Sequence, residues 1–547
     1  MHLLLLGGAA LAAPPPADPA VAKLSGPVRA AWLAVEAGVP PPRGEGLPGD
    51  GPDGLLVVAE GEDGDTLYAA LSAAGFDVRA QSGGRVQLWA AHADLRRLGE
   101  LPEVARVRLP WRASTKDRAG SGDVYTEGYD AIFATDWHEE GIYGTGVAVG
   151  IVDVGFVGAE ELAGDEIPDD AKVDFSRGDS ESTAHGTAVT EVIYDFAPRA
   201  SYYLASFSTD VEFGEVLEAF ADADVDVING SIGFDNVWHA DGSSSVSIYA
   251  RRAVEDGAIY VAAAGNENDK YRVGVLGVEP DGAVTIAGRR GVSCNTSSGW
   301  AQVSFRWSEP FGEAAHDIDL VVYNSDGTEC GRSEDAQDGT GWPYELVEAA
   351  GCSREVLAVP VVVDGSDVTG LEGYLYGYSG ISSGDQTWTE DLTLPGDTDG
   401  AVTVGAWTPA LDAVADYSSR GPTNDDRLKP DLVAPTGVST ATYGTAAFEG
   451  SSAAAPHVSG LAALWASASK RRDAPHRFLE WAQDNAVDGG DPGPDQTWGA
   501  GAAHADALPE GRCGCASAAP GGAGSAPAAW APGWLGGILA LIWRRRR

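Results

Sequence analysis

Four short segments of the sequence carry side chains that could together perform acyl transfer. Ser452 lies in the octapeptide 450–457, where small neighbours would let a substrate backbone approach the serine hydroxyl. The alanine-rich apolar run that follows predicts a helix, and the amino terminus of a helix favours a developing anion. This pattern alone is also typical of an ordinary helix start, so its chemistry depends on partners elsewhere in the chain.

A serine nucleophile needs a base to accept its proton and a carboxylate to orient that base. The apolar run 147–152 predicts a buried parallel strand that ends at Asp153, and open α/β sheets carry their chemistry at this edge. His185 begins a stretch whose apolar residues recur at helical spacing. Taken singly, such residues are more often turn, cap or surface groups. Their order and contexts together indicate a base and an orienting acid.

A fourth segment, 261–266, predicts another buried strand that ends on an amide side chain. The tetrahedral intermediate of acyl transfer needs hydrogen-bond donors aimed at its oxyanion. The side-chain amide of Asn266 and the backbone N–H of Ser452 could supply two donors. The plain alternative is an asparagine that bonds its own backbone in a loop.

These segments resemble those of the subtilisin-like (subtilase) serine peptidases, which have the same chain order of Asp, His and Ser. Further matching stretches lie at 227–233, 417–422 and 429–435, and the resemblance covers most of residues 120–270 and 395–508. The resemblance implies that Ser452 is the nucleophile and His185 the general base and acid. Asp153 would then orient the imidazole, and Asn266 would donate to the oxyanion.

The resemblance also assigns the segments that would bind substrate. An extended peptide would pair with them as an added strand. The residues concerned are Ser231, Ile232 and Gly233 in one segment, and Ala263, Ala264 and Gly265 in the other.

The elements around these motifs predict an α/β domain. Strands at 200–206, 225–229 and 258–264 alternate with helices near 211–221 and 246–255, which predicts a parallel sheet with helices on both faces. The resemblance implies that this sheet is subtilisin-like. Residues 271–394 instead show strands separated by Gly, Asp and Ser turns, which predicts an inserted all-β sandwich. This insert could dock substrate or only pack beside the cleft.

The N-terminal region divides into three predicted parts. Residues 1–13 resemble a secretory signal peptide, and residues 14–53 are a Pro/Gly-rich stretch expected to be a linker. Residues 54–112 alternate strand and helix patterns and predict a small α+β domain. The family resemblance implies a propeptide that inhibits the enzyme through a tail in the cleft, with cleavage within 110–124. An independent binding domain is the alternative.

The composition excludes some partners. Acidic residues outnumber basic ones by 81 to 36, for a net charge of -45, which argues against nucleic acid because phosphate binding needs clustered Lys and Arg. The histidines show no metal-ligand spacing, so no cofactor is expected for catalysis. The resemblance leaves structural calcium possible, with no ligands assigned. Three cysteines lie in the insert, and a Cys330–Cys352 disulfide is the most plausible pairing.

The C-terminal region 509–547 contains a Cys motif, a linker, a short apolar segment at 528–543 and an Arg cluster. It resembles the C-terminal sorting tags of myxobacterial surface proteins. Its apolar segment is shorter than the roughly 20 residues that span a bilayer comfortably. A plain tail anchor or a disordered tail is the alternative to a sorting tag. The tail predicts membrane association of a secreted, cell-surface or outer-membrane protein.

Taken together, the sequence predicts a secreted or surface-anchored serine endopeptidase that is made as a zymogen and acts on proteins or peptides. Two alternatives from other classes stay open. One is a catalytically silent surface binding protein, and the other is a peptide ligase or macrocyclase of the same fold.

Overall fold

The structure is a computed structural model that describes residues 18–36, 38, 54–115, 125–172, 176–178, 182–363, 365–469, 474–506 and 508. The predicted signal peptide, part of the predicted linker, the segment 116–124 and the C-terminal region 509–547 lie outside the described residues.

The N-terminal unit is a four-stranded antiparallel sheet with helices packed on it. Its sheet has the order β2-β3-β1-β4. The elements are α1 (Pro19–Ala22), α2 (Gly26–Glu36), β1 (Gly54–Glu60), α3 (Gly64–Ala73), β2 (Asp77–Ser82), β3 (Arg85–Ala91), α4 (Leu95–Gly99) and β4 (Arg106–Arg108), with a 3-10 turn at His92–Asp94.

Helices α1 and α2 correct the interpretation of residues 14–53 as a linker. Leu24, Val28 and Ala31 are buried in the same hydrophobic cluster as the N-terminal sheet. Asp18 caps α1 by accepting the N–H of Ala20 at 3.0 Å. The surrounding Pro and Gly residues obscured a short apolar pattern whose helical spacing was present in the sequence.

A central domain follows, and its first half runs from β5 to β10. The elements are β5 (Ser114–Thr115), α5 (Gly128–Ala131), α6 (Thr135–Glu139), β6 (Ala148–Asp153), α7 (Ala159–Leu162), α8 (His185–Phe196), β7 (Ser201–Ser206), α9 (Asp210–Asp222), β8 (Val227–Gly230), β9 (Ile232–Gly233), α10 (Ser245–Glu255) and β10 (Ile259–Ala263).

An all-β region is inserted after β10. Its strands are β11 (Tyr271–Val278), β12 (Val284–Ile286), β13 (Arg289–Arg290), β14 (Val292–Asn295), β15 (Trp300–Trp307), β16 (Ile318–Asn324), β17 (Glu329–Ser333), β18 (Tyr344–Ala350), β19 (Glu355–Val362) and β20 (Glu372–Gly377). They form two antiparallel sheets, β13-β12-β11-β20-β15-β18 and β14-β19-β16-β17, whose residues share one hydrophobic core. The predicted Cys330–Cys352 disulfide is confirmed, and Cys294 is a buried free thiol.

The chain then returns to the central domain. The remaining elements are β21 (Val402–Thr408), β22 (Ala413–Val414), β23 (Leu432–Pro435), β24 (Val438–Thr440), β25 (Gly444–Phe448), α11 (Ser451–Ser469) and α12 (Pro475–Asn485), with a 3-10 turn at Pro409–Leu411.

The central sheet has the order β22-β21-β10-β8-β6-β7, and β23 also pairs with β21. All its pairings are parallel except that of β22. Alternate residues of β10 enter different hydrophobic clusters, because Val261 packs with α8 and α11 while Tyr260 packs with α9 and α10. The predicted α/β fold with helices on both faces of a parallel sheet is therefore confirmed.

Candidate active site

Asp153 and His185 form a buried pair at the carboxyl edge of the central sheet. Asp153 is the last residue of β6 and His185 is the first residue of α8, and both are 0% exposed. The imidazole Nδ1 lies 2.9 Å from Oδ1 and 2.8 Å from Oδ2 of the carboxylate. Because a carboxylate accepts, Nδ1 carries the proton and Nε2 is the basic nitrogen. This is the tautomer that a general base requires.

The carboxylate of Asp153 is itself held in place. The Val154 N–H donates to Oδ1 at 2.8 Å, which leaves little freedom of rotation. On the other side of the imidazole, Phe448 packs edge-on against the ring with centroids 5.8 Å apart. Phe448 ends β25 just before α11, so it joins the histidine to the start of the helix that carries Ser452.

Ser452 is the second residue of α11 and is fully buried. Its hydroxyl donates to the carbonyl oxygen of Ser231 at 2.9 Å, and the Ser231 hydroxyl donates to the Ser452 carbonyl at 3.1 Å. This pair of hydrogen bonds ties the start of α11 to the chain that enters β9.

Asn266 is bound to the start of α11. Its Oδ1 accepts the Ser451 N–H at 2.9 Å, and the Gly265 N–H donates to the Ser451 hydroxyl at 3.1 Å. Since the amide oxygen faces the helix amino terminus, the amide nitrogen is the donor that can serve an oxyanion. The structure therefore brings the amide predicted for the oxyanion next to the residue that precedes Ser452.

The predicted substrate-binding segment 231–233 already has a peptide strand beside it. In β5, Ser114 pairs antiparallel with Gly233 and Thr115 pairs with Ile232. A Cβ on Gly233 would lie 1.9 Å from Oγ1 of Thr393, so only glycine fits there. The chain's own segment thus occupies the place that the sequence assigns to a substrate.

The second predicted segment, 263–265, is engaged differently. The Ala264 N–H donates to Val404 and its carbonyl accepts from Thr393, at 2.9 and 3.0 Å. The Gly265 carbonyl accepts from the backbone of Ser419 at 3.0 Å. Because these groups are already bonded within the fold, Ala263, Ala264 and Gly265 can form a wall of the site but do not offer a free ladder. Substrate binding by Ala263, Ala264 and Gly265 stays a prediction.

Sequence reasoning gave no role to a buried network behind Ser231. The Asn229 side chain donates to the Ser231 hydroxyl at 2.9 Å and accepts from the Ser459 hydroxyl at 2.7 Å. It thereby ties β8 to α11 below Ser452. The available signal was an asparagine inside an apolar strand, because a buried polar side chain needs hydrogen-bond partners.

His457, the last residue of the octapeptide, is not a second base. Burial lowers the pKa of its imidazole to about 4, so the ring is neutral near pH 7. Its Nδ1 donates to the Ala453 carbonyl at 2.7 Å, and its Nε2 lies 2.9 Å from the Thr126 hydroxyl. Both nitrogens therefore hold α11 against the chain that enters α5.

The described residues contain neither a candidate metal site nor a candidate membrane-spanning helix. No group of three or more His, Cys, Asp or Glu side chains in that part of the chain could hold a metal ion. Among the helices of the described ranges, none is long and apolar enough to cross a membrane. The apolar segment predicted at 528–543 lies outside those ranges.

The model of the subtilase family (peptidase S8) matches residues 144–321 and 379–501. The chain is similar to the CspB protease of Clostridium perfringens, with 17% identity and a TM-score of 0.52, over 70% of this chain and 97% of that one.

Two further solved structures are similar at lower scores. Fervidolysin from Fervidobacterium pennivorans, described as a keratinolytic enzyme related to subtilisin, has 15% identity and a TM-score of 0.48, over 84% of this chain and 62% of that one. The epidermin leader peptide processing serine protease of Staphylococcus aureus has 12% identity and a TM-score of 0.48, over 83% and 98%. At such identities the structural likeness extends to the fold alone.

Proposed function

The chain belongs to the subtilase family, and from this premise we propose that it is an active serine endopeptidase made as a zymogen. The observation that carries the proposal is the antiparallel pairing of Ser114 and Thr115 with Gly233 and Ile232. A polypeptide backbone lies there beside Ser231, whose carbonyl accepts the Ser452 hydroxyl. A bound protein strand next to a nucleophilic hydroxyl is what cleavage of a peptide bond requires.

The first chemical step forms an acyl-enzyme. Nε2 of His185 takes the proton of the Ser452 hydroxyl as Oγ attacks the scissile carbonyl carbon. Asp153 stabilises the resulting imidazolium through Nδ1. The backbone N–H of Ser452 and the side-chain amide of Asn266 donate to the oxyanion. His185 then gives its proton to the leaving amine as the C–N bond breaks.

The second step releases the product. Water takes the place of the departed amine and gives a proton to His185 Nε2 as its oxygen attacks the acyl carbon. The ester bond to Oγ breaks, and the proton returns from His185 to Ser452. The net reaction adds one water molecule across one peptide bond.

Contacts of the N-terminal unit support its role as propeptide and inhibitor. Glu212 of α9 accepts a hydrogen bond from the Gln87 side chain at 2.9 Å, and Glu215 accepts the Gln81 N–H at 2.8 Å. Arg29 of α2 forms an ion pair with Asp335 of the insert at 2.9 Å. The unit thus binds both neighbours while its tail covers β9, which blocks another peptide from the same position.

The test compares the full-length wild type with Ser452→Ala and with Ser469→Ala, a matched control at the far end of α11. We expect the wild type and Ser469→Ala to lose the N-terminal fragment and to react with a fluorophosphonate probe, both followed by mass spectrometry. Ser452→Ala should do neither, because the nucleophile is absent. Normal processing of Ser452→Ala would refute the proposal.

The same experiment separates the alternatives. A silent binding protein would give an unprocessed, unlabelled wild type. A ligase or macrocyclase would label but would join an added peptide amine to the acyl product instead of releasing a free acid. Mass spectrometry of products formed with and without the added amine distinguishes these outcomes.

We extend the proposal to secretion and surface attachment. Support comes from the signal-like residues 1–13 and from the Cys motif, apolar segment and Arg cluster of residues 509–547. Cell fractionation of the full chain and of a chain truncated after residue 508 tests it. The truncated chain should appear in the medium, whereas the full chain should stay with the envelope.

Structural calcium is the remaining part of the proposal, and it rests on the family resemblance. Carboxylate and carbonyl oxygens are the ligands that calcium prefers. A chelator should then lower the midpoint of thermal unfolding of the purified protein, and added calcium should restore it. An unchanged midpoint would remove calcium from the account.

A further inference from the structure

The segment Arg108–Thr115 joins the N-terminal unit to the active-site edge. It begins at the end of β4 and ends in β5, where the backbone pairs with β9. Along this path its side chains and backbone contact the central domain and the insert. The segment therefore shows how these surfaces bind the part of an extended peptide that precedes the residues beside Ser452.

Trp111 of this segment fills an aromatic site built by two other parts of the chain. The indole is 8% exposed. Its ring centroid lies 5.8 Å from that of Trp238, which follows β9, and 6.2 Å from that of Trp342 in the insert. Phe311 of the insert stacks on Trp238 at 3.6 Å and completes the site. The three aromatic residues that receive Trp111 are widely separated in sequence.

The site also has room for a large side chain. A cavity of about 320 Å³ lies beside Trp111, and Trp300, Trp342 and Tyr376 of the insert line it. Aromatic rings in such surroundings gain energy from offset and edge-on contacts beyond the burial of their area. An aromatic side chain at this position therefore contacts residues of the insert as well as residues of the central domain.

Asp210 supplies the polar half of the same surface. This carboxylate is 0% exposed and accepts the backbone N–H of Trp111 at 3.0 Å. It also accepts from the guanidinium of Arg108, at 2.7 Å. The backbone N–H of Asp210 donates to the Trp111 carbonyl at 3.1 Å. Asp210 thus binds the backbone of Trp111 and also the guanidinium of Arg108, which lies three positions before Trp111.

We propose that this surface is a remote substrate subsite, formed jointly by Asp210, Trp238 and the insert residue Trp342. It takes polypeptides with an aromatic side chain three residues before the one paired with Gly233, and a basic side chain three residues before the aromatic one. The inference rests on the proposed function, because the surface opens only when the N-terminal unit leaves.

Release of the N-terminal unit gives the physical reason. Trp238 and Trp342 then lose their contacts with Trp111, and the Asp210 carboxylate loses the Arg108 guanidinium. Aromatic surface uncovered in water is unfavourable, and the carboxylate is left without the cation that it bound. A substrate that carries the same two groups restores both contacts, and its backbone continues directly into the strand position beside β9.

The test uses the processed wild-type enzyme and three internally quenched peptides. The first copies residues 108–121 of this chain, the second carries Trp111→Ala and the third carries Arg108→Ala. We expect kcat/KM to fall about tenfold or more for the second peptide, as is usual when a central aromatic contact is removed. The third peptide should also be cleaved more slowly than the first.

A variant of the insert separates specificity from folding. In Trp342→Ala the ratio of kcat/KM for the first peptide to that for the second should shrink toward one. A merely structural role would lower both rates. Trp388→Ala, at a 58% exposed tryptophan, is the matched control and should keep the full preference.

Each outcome decides the matter. Equal cleavage of the three peptides by wild-type enzyme would overturn the subsite and leave the peptidase intact. If Trp342→Ala still prefers the first peptide, the insert is not part of the subsite. If the full chain never releases its N-terminal unit, the surface stays covered and both proposals are overturned.

Discussion

Asp153 and Asp210 are both fully buried carboxylates, yet they bind different partners for different ends. Asp153 accepts from the imidazole of His185 and so fixes a tautomer. Asp210 accepts from a guanidinium and a backbone N–H and so fixes a peptide segment. In both cases the free-energy cost of removing the carboxylate from water is offset by hydrogen bonds to both of its oxygens. The partner, rather than the burial, decides what the acid does.

Asn266→Asp tests the oxyanion role without disturbing the helix. An aspartate keeps an oxygen that can accept the Ser451 N–H, but it lacks the donor and brings a negative charge toward the oxyanion. We expect kcat to fall about 100- to 1000-fold with little change in KM. The measurement is steady-state hydrolysis of a quenched peptide, with Asn485→Asp in α12 as the control. A changed KM at constant kcat would instead indicate a role in ground-state binding.

Asp195→Asn tests a buried carboxylate of α8. Burial, with the nearby charges of Glu166 and Glu191, raises the pKa of Asp195 to about 7. Because the folded pKa exceeds the unfolded one, this group's contribution to stability is complete below about pH 4 and is lost as pH rises through 7. An asparagine does not titrate and can still accept the Thr126 N–H.

The free energy of unfolding of Asp195→Asn should therefore exceed that of wild type at pH 8, by at most about 4 kcal/mol. The difference should vanish near pH 4. Denaturant titrations at both pH values measure it, with the exposed Asp136→Asn as control. A constant difference across this pH range would contradict the account.

The positions of Asp153, His185 and Ser452 at a strand end and at two helix starts could be predicted, because each borders an apolar run and has small neighbours. Asp210 could not be predicted in the same way. An acid at the first turn of an acidic helix is typical of a favourable charge–dipole contact. Its second role depends on Trp111, which lies 99 positions earlier in the chain and meets it only after folding.

At the scale of elements, the two-residue strand β5 sets a register. Ser114 and Thr115 lie opposite Gly233 and Ile232, so the next position in an antiparallel ladder faces Ser231. Since the Ser452 hydroxyl is bonded to the Ser231 carbonyl, we expect autoprocessing within the first few residues after Thr115, in the segment that begins with Lys116-Asp117.

N-terminal sequencing of the processed wild-type chain measures this position. A mature terminus within a few residues of 116 is the expected result, because only a short stretch of an extended strand can reach the hydroxyl. Processing before Trp111 would contradict the register, since the cut would fall in the part that contacts Asp210.

The strands of the central sheet could be predicted because helices cover both faces, which makes their sequences continuously apolar. The same reasoning failed for elements with one exposed face. β2 has the sequence DVRAQS and buries only Ala80 and Ser82, so no apolar run marks it. The aromatic site shared by Trp238, Phe311 and Trp342 was also missed, because its members come from loops of two different regions.

At the scale of the whole molecule, the net charge of -45 is the dominant feature. A surface this acidic attracts cationic substrates over distances set by the Debye length, about 30 Å at 0.01 M salt and a few ångströms near 1 M. We expect kcat/KM for a basic peptide to fall steeply between these salt concentrations. A peptide of zero net charge with the same cleaved sequence should change little, and parallel salt dependence of the two would contradict this expectation.

The insert leaves the central sheet after β10 and the chain re-enters it in β21, the strand that pairs with β10. The sheet therefore keeps an unbroken order whatever polypeptide spans that one gap. Replacing the insert at its two junctions would therefore change the surface to which Trp342 belongs and leave the strand order of the central sheet as it is.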